Sequence, residues 1–279
     1  MHQNKFQVRE LTEELKDKIS EAIKPYVIFM VGINDQGKNE SLDLLGSGTL
    51  VKYRNFYGIL TANHVIQARN FKEAQRIGFS IIEGPIKFEI ENYSLVTHPI
   101  GEYGHKIGPD LALIELPSIK LYQFKEHKAF LNLEKASLED IINNYNNNGV
   151  WIISGCANES AIRLGGNRNF HEIIAFTYTF WFGGFDRVWE KDGFDYIEAK
   201  AIYDEENEPP NSFRGVSGGG LWQVPLNRVE SGDLEIVNFI LAGVAFYQTE
   251  IVDDYRFVRC HGKMSIYSKL KNFLHQLTH

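Results

Sequence analysis

The sequence predicts an all-β protein whose strands pair antiparallel in a barrel or a sandwich. Short apolar runs alternate with turn residues, and little helical periodicity lies between them. The runs form two sets of similar size on either side of residues 118–148, which suggests a duplicated barrel. With 279 residues, the chain is long enough for one large domain or two packed halves.

The first half starts with an amphipathic helix over residues 9–24, for which Thr12 is the expected N-cap and Pro25 the stop. Polar residues 34–40 are expected to form a loop, and a two-residue turn at 54–55 predicts a hairpin. The strands of this half are predicted over residues 26–33, 42–53, 56–61, 77–82, 86–90, 94–97 and 111–116.

The second half follows a polar connection rich in Lys, Glu and Asn, in which one helix is predicted over residues 138–145. Its strands are predicted over residues 150–154, 173–182, 194–201, 219–224 and 235–247, and an amphipathic helix over 263–277 ends the chain. The predicted units are an N-terminal helical extension, a first β-barrel, a connection, a second β-barrel and a C-terminal helix, at residues 1–25, 26–125, 126–148, 149–262 and 263–279.

Charge and composition exclude several classes of function. The net charge of −7 argues against a nucleic-acid partner, because such proteins usually present a basic face. The longest apolar run, at residues 26–31, is too short to cross a membrane, and the N-terminus does not resemble a signal peptide. Cys156 and Cys260 are expected to be free thiols in a reducing, cytoplasmic compartment, and no motif predicts a metal or a cofactor.

A serine stands among four glycines in the segment 213–222, and this segment is the strongest chemical signal in the chain. Glycine clusters cost backbone entropy, so they need a geometric reason. One reason is a tight turn that exposes the oxygen of Ser217 and directs backbone N–H groups at a reacting carbonyl. The other is an ordinary hairpin turn, which is the commoner origin of such clusters.

Serine-based acyl transfer also needs a base and a carboxylate that orients the base. His64 follows a predicted strand and precedes two apolar residues, so its backbone is fixed on both sides. Asp110 leads into an apolar run, where a buried charge needs a partner. Each residue also has an ordinary structural interpretation, because a lone histidine is usually a neutral core residue and an aspartate often caps a turn.

Five segments, taken together, resemble the chymotrypsin/trypsin family of serine endopeptidases, particularly its disulfide-poor bacterial members. These segments are Gly46-Ser47-Gly48-Thr49-Leu50-Val51, Leu60-Thr61-Ala62-Asn63-His64-Val65, Asp110-Leu111-Ala112-Leu113-Ile114, Gly215-Val216-Ser217-Gly218-Gly219 and Leu241-Ala242-Gly243-Val244. The order His, Asp, Ser matches the family. The resemblance extends from about residue 26 to the C-terminal helix.

The resemblance implies two perpendicular, antiparallel, six-stranded β-barrels with the site in the cleft between them. Ser217 would be the nucleophile and His64 the general base, while Asp110 would orient His64 and stabilise its imidazolium. The N–H groups of Gly215 and Ser217 would form the oxyanion hole. The implied partner is a protein or peptide substrate.

The resemblance also implies a specificity pocket. If the family register holds without gaps, Asn211 lies at its base, and Ala245, Phe246 and Tyr247 line its wall. The neutral Asn211 argues against pairing with a substrate Lys or Arg, and Tyr247 would narrow the pocket toward small side chains. Glu208 is near enough in sequence to change this charge balance.

The chain departs from the family at Val216, where the family usually has Asp or Asn. Val216 cannot pair with a newly cut N-terminus, so activation by N-terminal trimming is excluded by the resemblance. We therefore expect a site that is assembled from the start or is switched on by a regulatory protein, with narrow specificity. Gly220 replaces the usual proline, which loosens the turn without removing a donor.

Three other interpretations remain open. The motif G-x-S-x-G also fits an α/β-hydrolase, which would enlist Asp253 or Asp254 and His261, although the triple glycine is a poor helix start. A zinc protease is disfavoured, because Ala175 stands where the second histidine of His171-Glu172-x-x-His would be needed. The third interpretation is a catalytically silent double barrel that serves as a binding module.

Overall fold

A computed structural model describes residues 6, 8–36, 39–80, 86–101, 107–145, 149–164, 172–175, 178–182, 185–203 and 209–278. The chain is mostly β, with two large antiparallel sheets and a few short helices, which confirms the fold class at this level.

The first sheet has the strand order β5-β4-β1-β2-β3-β7-β6, and the short β8 pairs parallel to β2. Its strands are β1 Val27–Gln36, β2 Asn39–Tyr53, β3 Phe56–Thr61, β4 Arg76–Ser80, β5 Ile86–Glu91, β6 Val96–Ile100, β7 Leu111–Glu115 and β8 Leu131–Asn132. The long β2 pairs with both β1 and β3, and a register shift between Met30 and Val31 helps the sheet to curl. The predicted hairpin at residues 54–55 is confirmed, with Arg54 at φ 52°.

The second sheet has the order β12-β9-β15-β18-β19-β14-β13, and two small ribbons pair β10 with β11 and β16 with β17. The strands are β9 Val150–Ser154, β10 Ala161–Leu164, β11 Glu172–Ala175, β12 Thr179–Phe182, β13 Phe185–Lys191, β14 Phe194–Ile202, β15 Gly220–Val224, β16 Leu226–Arg228, β17 Leu234–Ile236, β18 Ile240–Gln248 and β19 Tyr255–His261. Among the described residues, β12 and β13 are the two edge strands of this sheet. Closure into a six-stranded barrel therefore stays a prediction for this half, as for the first.

The helices are short and lie outside the sheets. The α-helices are α1 Glu13–Ile23, α2 Asn63–Gln67, α3 Arg69–Glu73, α4 Leu121–His127, α5 Leu138–Tyr145 and α6 Lys271–Leu277. Thr12 caps α1 as predicted, because its hydroxyl accepts from the N–H of Leu15 at 3.2 Å. A π-helical segment, Ser265–Leu270, leads into α6. None of the helices in the described part of the chain has the length and apolar character needed to span a membrane.

Several element predictions were wrong. Residues 34–36 and 39–40 do not lie in a loop, because β1 continues to Gln36 and β2 begins at Asn39, with Asn34 opposite Ser41. The connection contains a second helix, α4, which packs Phe124 into the core. The strands predicted over 173–182 and 235–247 are each divided into two, and the strands β13 and β19 were not predicted. These differences arise where long-range pairing overrides a weak local pattern.

The buried core joins the two sheets. Its largest cluster includes Ile19 from α1, Phe29 and Leu113 from the first sheet, Trp222 from the second and Leu270 from the C-terminal helix, all fully buried. Burying an apolar side chain of this size stabilises a fold by about 1.5–3 kcal/mol. The shared core therefore fixes the position of the first sheet against the second, and it is at this junction that the candidate site lies.

Candidate active site

His64 lies where the first sheet ends and a short helix begins. β3 ends at Thr61, and α2 starts at Asn63, so His64 is in the first helical turn. Its backbone N–H donates to Oδ1 of Asp110 at 2.7 Å. The carboxylate thereby satisfies an N–H that has no partner within the helix, and it fixes the backbone of the histidine.

The same carboxylate holds the imidazole. Nδ1 of His64 donates to Oδ2 of Asp110 at 2.7 Å. The side chain of Asp110 is only 3% exposed, while that of His64 is 31% exposed. An ionised carboxylate can only accept, so the proton of the neutral ring is on Nδ1 and the lone pair is on Nε2. This is the tautomer that a general base needs.

His261, at the end of β19, lies behind this pair. The backbone N–H of Asp110 donates to its Nε2 at 2.9 Å, so its ring proton is on Nδ1, which lies 3.3 Å from Oγ of Ser265. Complete burial lowers the pKa of His261 from 6.5 to about 4, although the nearby Asp110 carboxylate acts in the opposite direction. His261 is thus a neutral acceptor at pH 7.

The hydrogen bonds around His261 continue to the C-terminal helix. Oγ of Ser265 donates to Oδ1 of Asp195 at 2.8 Å. The carboxylate of Asp195 also accepts the N–H groups of Met264 and Ser265, at 3.0 and 2.6 Å. Asp195, on β14, therefore caps this helix, and the helix in turn holds His261 against Asp110.

Ser217 lies in a turn that the first sheet holds through Ser47, a fully buried residue of β2. The N–H of Ser47 donates to the carbonyl of Ser217 at 2.9 Å, and its hydroxyl donates to the carbonyl of Gly215 at 2.7 Å. The same hydroxyl accepts from the N–H of Cys156 at 3.0 Å. Ser47 thus connects the turn to both sheets.

Two backbone donors of this turn have no acceptor among the described residues. The N–H groups of residues 213, 214, 216, 218 and 219 all have acceptors, whereas within the described residues those of Gly215 and Ser217 have none. The carbonyl of Arg214 accepts from the N–H of Asn158 at 2.8 Å, and Gly215 has φ 91°. Because carbonyl and N–H point in opposite directions across a trans peptide, this bond turns the N–H of Gly215 away from Asn158. Two such donors can stabilise an oxyanion.

The backbones around Ser217 and His64 lie side by side. A Cβ on Gly46 would lie 2.8 Å from Val65 and 3.0 Å from the carbonyl of Ser217, so Val65 and Ser217 flank the same glycine. His64 is hydrogen-bonded to Asp110. Within the described residues, Oγ of Ser217 makes no hydrogen bond to Nε2 of His64.

A cavity of about 550 Å³ borders Ser217. All four residues predicted to form the specificity pocket line it, namely Asn211, Ala245, Phe246 and Tyr247. It is also lined by residues that the sequence analysis did not single out, among them Arg214, Gln248, Glu250, Arg256 and Val258. Glu208 lies outside the described residues.

The residues of the α/β-hydrolase interpretation are not brought together. Asp253 and Asp254 lie in an exposed turn, with φ 49° and 60°, whereas His261 is buried against Asp110 and Ser265. His171 lies outside the described residues, and the described part of the chain contains no cluster of His, Cys, Asp and Glu that could hold a metal ion. Cys156 and Cys260 are free and buried, which confirms the prediction of two free thiols.

A scan against protein-family models and a search of curated proteins both find no match for this chain. The resemblance to serine endopeptidases therefore rests on the quoted segments. Sequence reasoning assigned no role to Ser47 or Arg256, and it considered His261 only as the histidine of an α/β-hydrolase. Ser47 stood within a quoted segment, whereas His261 and Arg256 lie on β19, a strand that was not predicted.

Proposed function

We propose that this chain is a serine endopeptidase that hydrolyses peptide bonds of protein substrates through Ser217, His64 and Asp110. The observation that carries this proposal is the double hydrogen bond from the backbone and Nδ1 of His64 to Asp110, which leaves Nε2 free as a base. We further propose that the two curled sheets are the two perpendicular six-stranded barrels of the chymotrypsin/trypsin family.

The proposed reaction proceeds in two halves. Oγ of Ser217 attacks the carbonyl carbon of the substrate while Nε2 of His64 takes the hydroxyl proton, and Asp110 stabilises the imidazolium. The N–H groups of Gly215 and Ser217 receive the oxyanion. His64 then gives its proton to the leaving amine, and a water molecule, deprotonated by His64, releases the acyl group from Ser217.

The missing hydrogen bond between Ser217 and His64 is compatible with this mechanism. In structures without substrate, catalytic hydrogen bonds are often long or poorly aligned, and they tighten in the complex. A rotation of the Ser217 side chain moves Oγ without breaking the contacts of its carbonyl with Ser47 or of the neighbouring N–H of Gly218 with Ala245. The backbone of the turn is therefore held while the hydroxyl is free to align.

Labelling with a fluorophosphonate probe, followed by peptide mass spectrometry, tests this proposal. We expect one adduct on Ser217 in the wild type and none in Ser217→Ala. Asp110→Asn should slow labelling roughly 10³- to 10⁴-fold, because the amide favours the wrong tautomer of His64. Ser231→Ala, which removes an exposed hydroxyl in a turn, is the matched control and should leave the labelling rate unchanged.

The absence of an adduct on Ser217 in the folded wild type would contradict the proposal and favour a silent binding module. Hydrolysis of general substrates such as casein by the isolated chain tests whether the proposed activity is unrestricted, or is limited by narrow specificity or a regulatory protein. We expect slow or no cleavage of casein, because narrow specificity or a regulatory protein partner would limit the activity. Brisk cleavage would exclude that restriction while leaving the catalytic assignment in place.

A further inference from the structure

Among the described residues, the lining of the cavity beside Ser217 carries more positive than negative charge. Two arginines line it, Arg214 and Arg256, and among the described residues the only carboxylate in its lining belongs to Glu250. Glu250 is exposed, whereas Arg256 is only 6% exposed. A charge in water is screened and a buried one is not, so the field inside the cavity is dominated by Arg256.

Among the described residues, Arg256 has no ionic partner. Within the described residues no carboxylate forms an ion pair with it, and its Nε is buried without a hydrogen-bond acceptor. Nη1 of Arg256 donates a hydrogen bond of 2.5 Å to Oε1 of Gln248. The guanidinium carbon lies 5.8 Å from the centre of the Tyr203 ring. Leaving a buried guanidinium without a counter-charge is unfavourable, so the side chain is suited to receive one.

The surrounding contacts hold Arg256 in place. Oε1 of Gln248 also accepts the N–H of Phe213 at 2.7 Å, and Nε2 of Gln248 donates to Oγ of Ser212 at 3.2 Å. Gln248 is therefore fixed to the segment that leads to Ser217. A guanidinium has five N–H donors, and Arg256 directs at most two of them to Gln248 and Tyr203, which leaves enough donors for a two-point contact with a carboxylate.

The remaining lining discriminates against other side chains. Val258 and Ala245 are buried and apolar, and Asn211 carries no charge, so none of these residues attracts a cation. A substrate Lys or Arg would bring its charge toward Arg256 and be repelled. A carboxylate in the same place gains the ion pair in an environment that is poorly screened.

We propose that this cavity receives the side chain of an aspartate or glutamate of the substrate, on the N-terminal side of the cleaved bond, and that Arg256 binds its carboxylate. This proposal rests on the proposed peptidase function and names the substrate class of the same site. It replaces the expectation of a small, uncharged side chain that the position of Tyr247 suggested.

Fluorogenic peptides that differ only in this one side chain test the proposal. The informative pairs are Asp against Asn and Glu against Gln, which keep the shape and remove the charge, with Ala and Lys as further members. We expect kcat/KM to be about 10- to 100-fold higher for at least one acid than for its amide, since a hydrogen bond to a charged group is worth more than a neutral one. Equal values within both pairs, or a preference for Lys, would overturn the proposal.

Arg256→Gln should reduce the acid-to-amide ratio to about one while the peptides with Asn or Gln are still cleaved. Arg228→Gln makes the same change of charge at an exposed residue of β16 outside the cavity lining, and it should keep the wild-type ratio. An unchanged ratio in Arg256→Gln contradicts the assignment. If Arg256→Gln does not fold, Arg256→Lys decides, because it keeps the charge but loses the two-point contact and should lower the ratio.

The two proposals fail in different ways. If no peptide is cleaved and the fluorophosphonate does not label Ser217, the peptidase function itself is wrong. If Ser217 is labelled and neutral or basic peptides are cleaved without preference for acids, only the assignment of Arg256 is wrong.

Discussion

The backbone N–H of Asp110 donates a hydrogen bond of 2.9 Å to Nε2 of His261, and this bond crosses from the first sheet to the second. Asp110 precedes β7, while His261 ends β19. Both carboxylate oxygens of Asp110 accept hydrogen bonds from His64. His261 therefore holds the backbone of Asp110, while the side chain of Asp110 holds the imidazole of His64. His261 is a positioning residue for the candidate base.

We predict that His261→Leu lowers kcat roughly 10- to 100-fold with little change in KM, because misplacing a catalytic group reduces the rate without removing substrate contacts. The change leaves the N–H of Asp110 unpaired and buried, and should also reduce the free energy of unfolding by about 1–3 kcal/mol. Steady-state kinetics and urea denaturation measure the two effects.

His261→Gln is the matched variant, because Oε1 of glutamine reaches about as far from the backbone as Nε2 of histidine. We expect it to restore most of kcat, since the oxygen can accept the N–H of Asp110. Equal kcat in the wild type and in the two variants would show that His261 has no effect on the base.

The stability of the protein should fall between pH 6.5 and pH 4 because of His261. Burial lowers the pKa of this side chain from 6.5 to about 4 in the folded state. Between these values the unfolded chain binds a proton that the folded chain does not, so unfolding becomes easier as the pH falls. The full loss of stability at or below pH 4 is about 3 kcal/mol, at about 1.4 kcal/mol per pKa unit. Above pH 6.5 His261 causes no such loss.

Urea denaturation of the wild type and of His261→Gln at a series of pH values isolates this contribution. The difference between the two unfolding free energies should change in favour of His261→Gln as the pH falls through this range. Two curves that remain parallel from pH 7.5 to pH 4 would show that His261 does not titrate in this way.

Ser47→Ala should reduce both the stability of the protein and its proposed peptidase activity. The change removes the donor to the carbonyl of Gly215 and the acceptor for the N–H of Cys156, and each buried group left unpaired costs about 1–3 kcal/mol. Because the freed carbonyl belongs to Gly215, the residue whose N–H is a proposed oxyanion donor, kcat should fall as well.

Ser154→Ala is the control for Ser47→Ala. Ser154 is equally buried and also makes two hydrogen bonds with its hydroxyl, to the indole of Trp222 and the carbonyl of Gly220. Thermal unfolding should show similar losses of stability in both variants, whereas only Ser47→Ala should show the loss of kcat. A similar fall of kcat in both would indicate a general effect of destabilisation.

Gly218→Ala should abolish labelling of Ser217. Gly218 has φ 87°, and a Cβ there would lie 2.0 Å from Oγ1 of Thr61 and 2.2 Å from the carbonyl of Ser47. The turn would have to move away from the first sheet. Gly232 has a similar φ of 92° but no heavy atom within 4 Å of such a Cβ, so Gly232→Ala carries only the conformational strain, about 1–2 kcal/mol.

Comparison of these two glycine variants by calorimetry and by fluorophosphonate labelling separates strain from close approach. Gly218→Ala should lose at least about 1–3 kcal/mol more than Gly232→Ala, which is the usual range for overpacking. Labelling of Ser217 at the wild-type rate in Gly218→Ala would contradict the close contact between the turn and the first sheet.

Thiol reagents should not affect the native protein. Burial raises the pKa of Cys156 to about 12 and also raises that of Cys260, so the thiolate population at pH 8 is negligible and neither sulfur is accessible. Mass spectrometry after iodoacetamide treatment should show no adduct on the native chain and two adducts in urea. Loss of the proposed peptidase activity when the native chain is treated with iodoacetamide would mean that a cysteine takes part in the reaction.

Local sequence patterns were sufficient for much of the fold. The hairpin at residues 54–55, the N-cap at Thr12 and the helix α5 follow from turn residues and periodicity, which act over a few positions. The strand β19 was missed because its charged and apolar residues do not follow the alternation of its buried and half-buried positions. Its place between β14 and β18 depends on partners distant in the chain.

The sequence alone determined which residue types are available and in what order they occur, with His64 first, then Asp110, then Ser217. Only the tertiary structure decided that Asp110 contacts His64 twice, that His261 supports Asp110 from the second sheet, and that Arg256 lines the same cavity as Ser217. The physical reason is that hydrogen bonds across a sheet junction depend on register and packing between distant segments, which no local pattern of residues encodes.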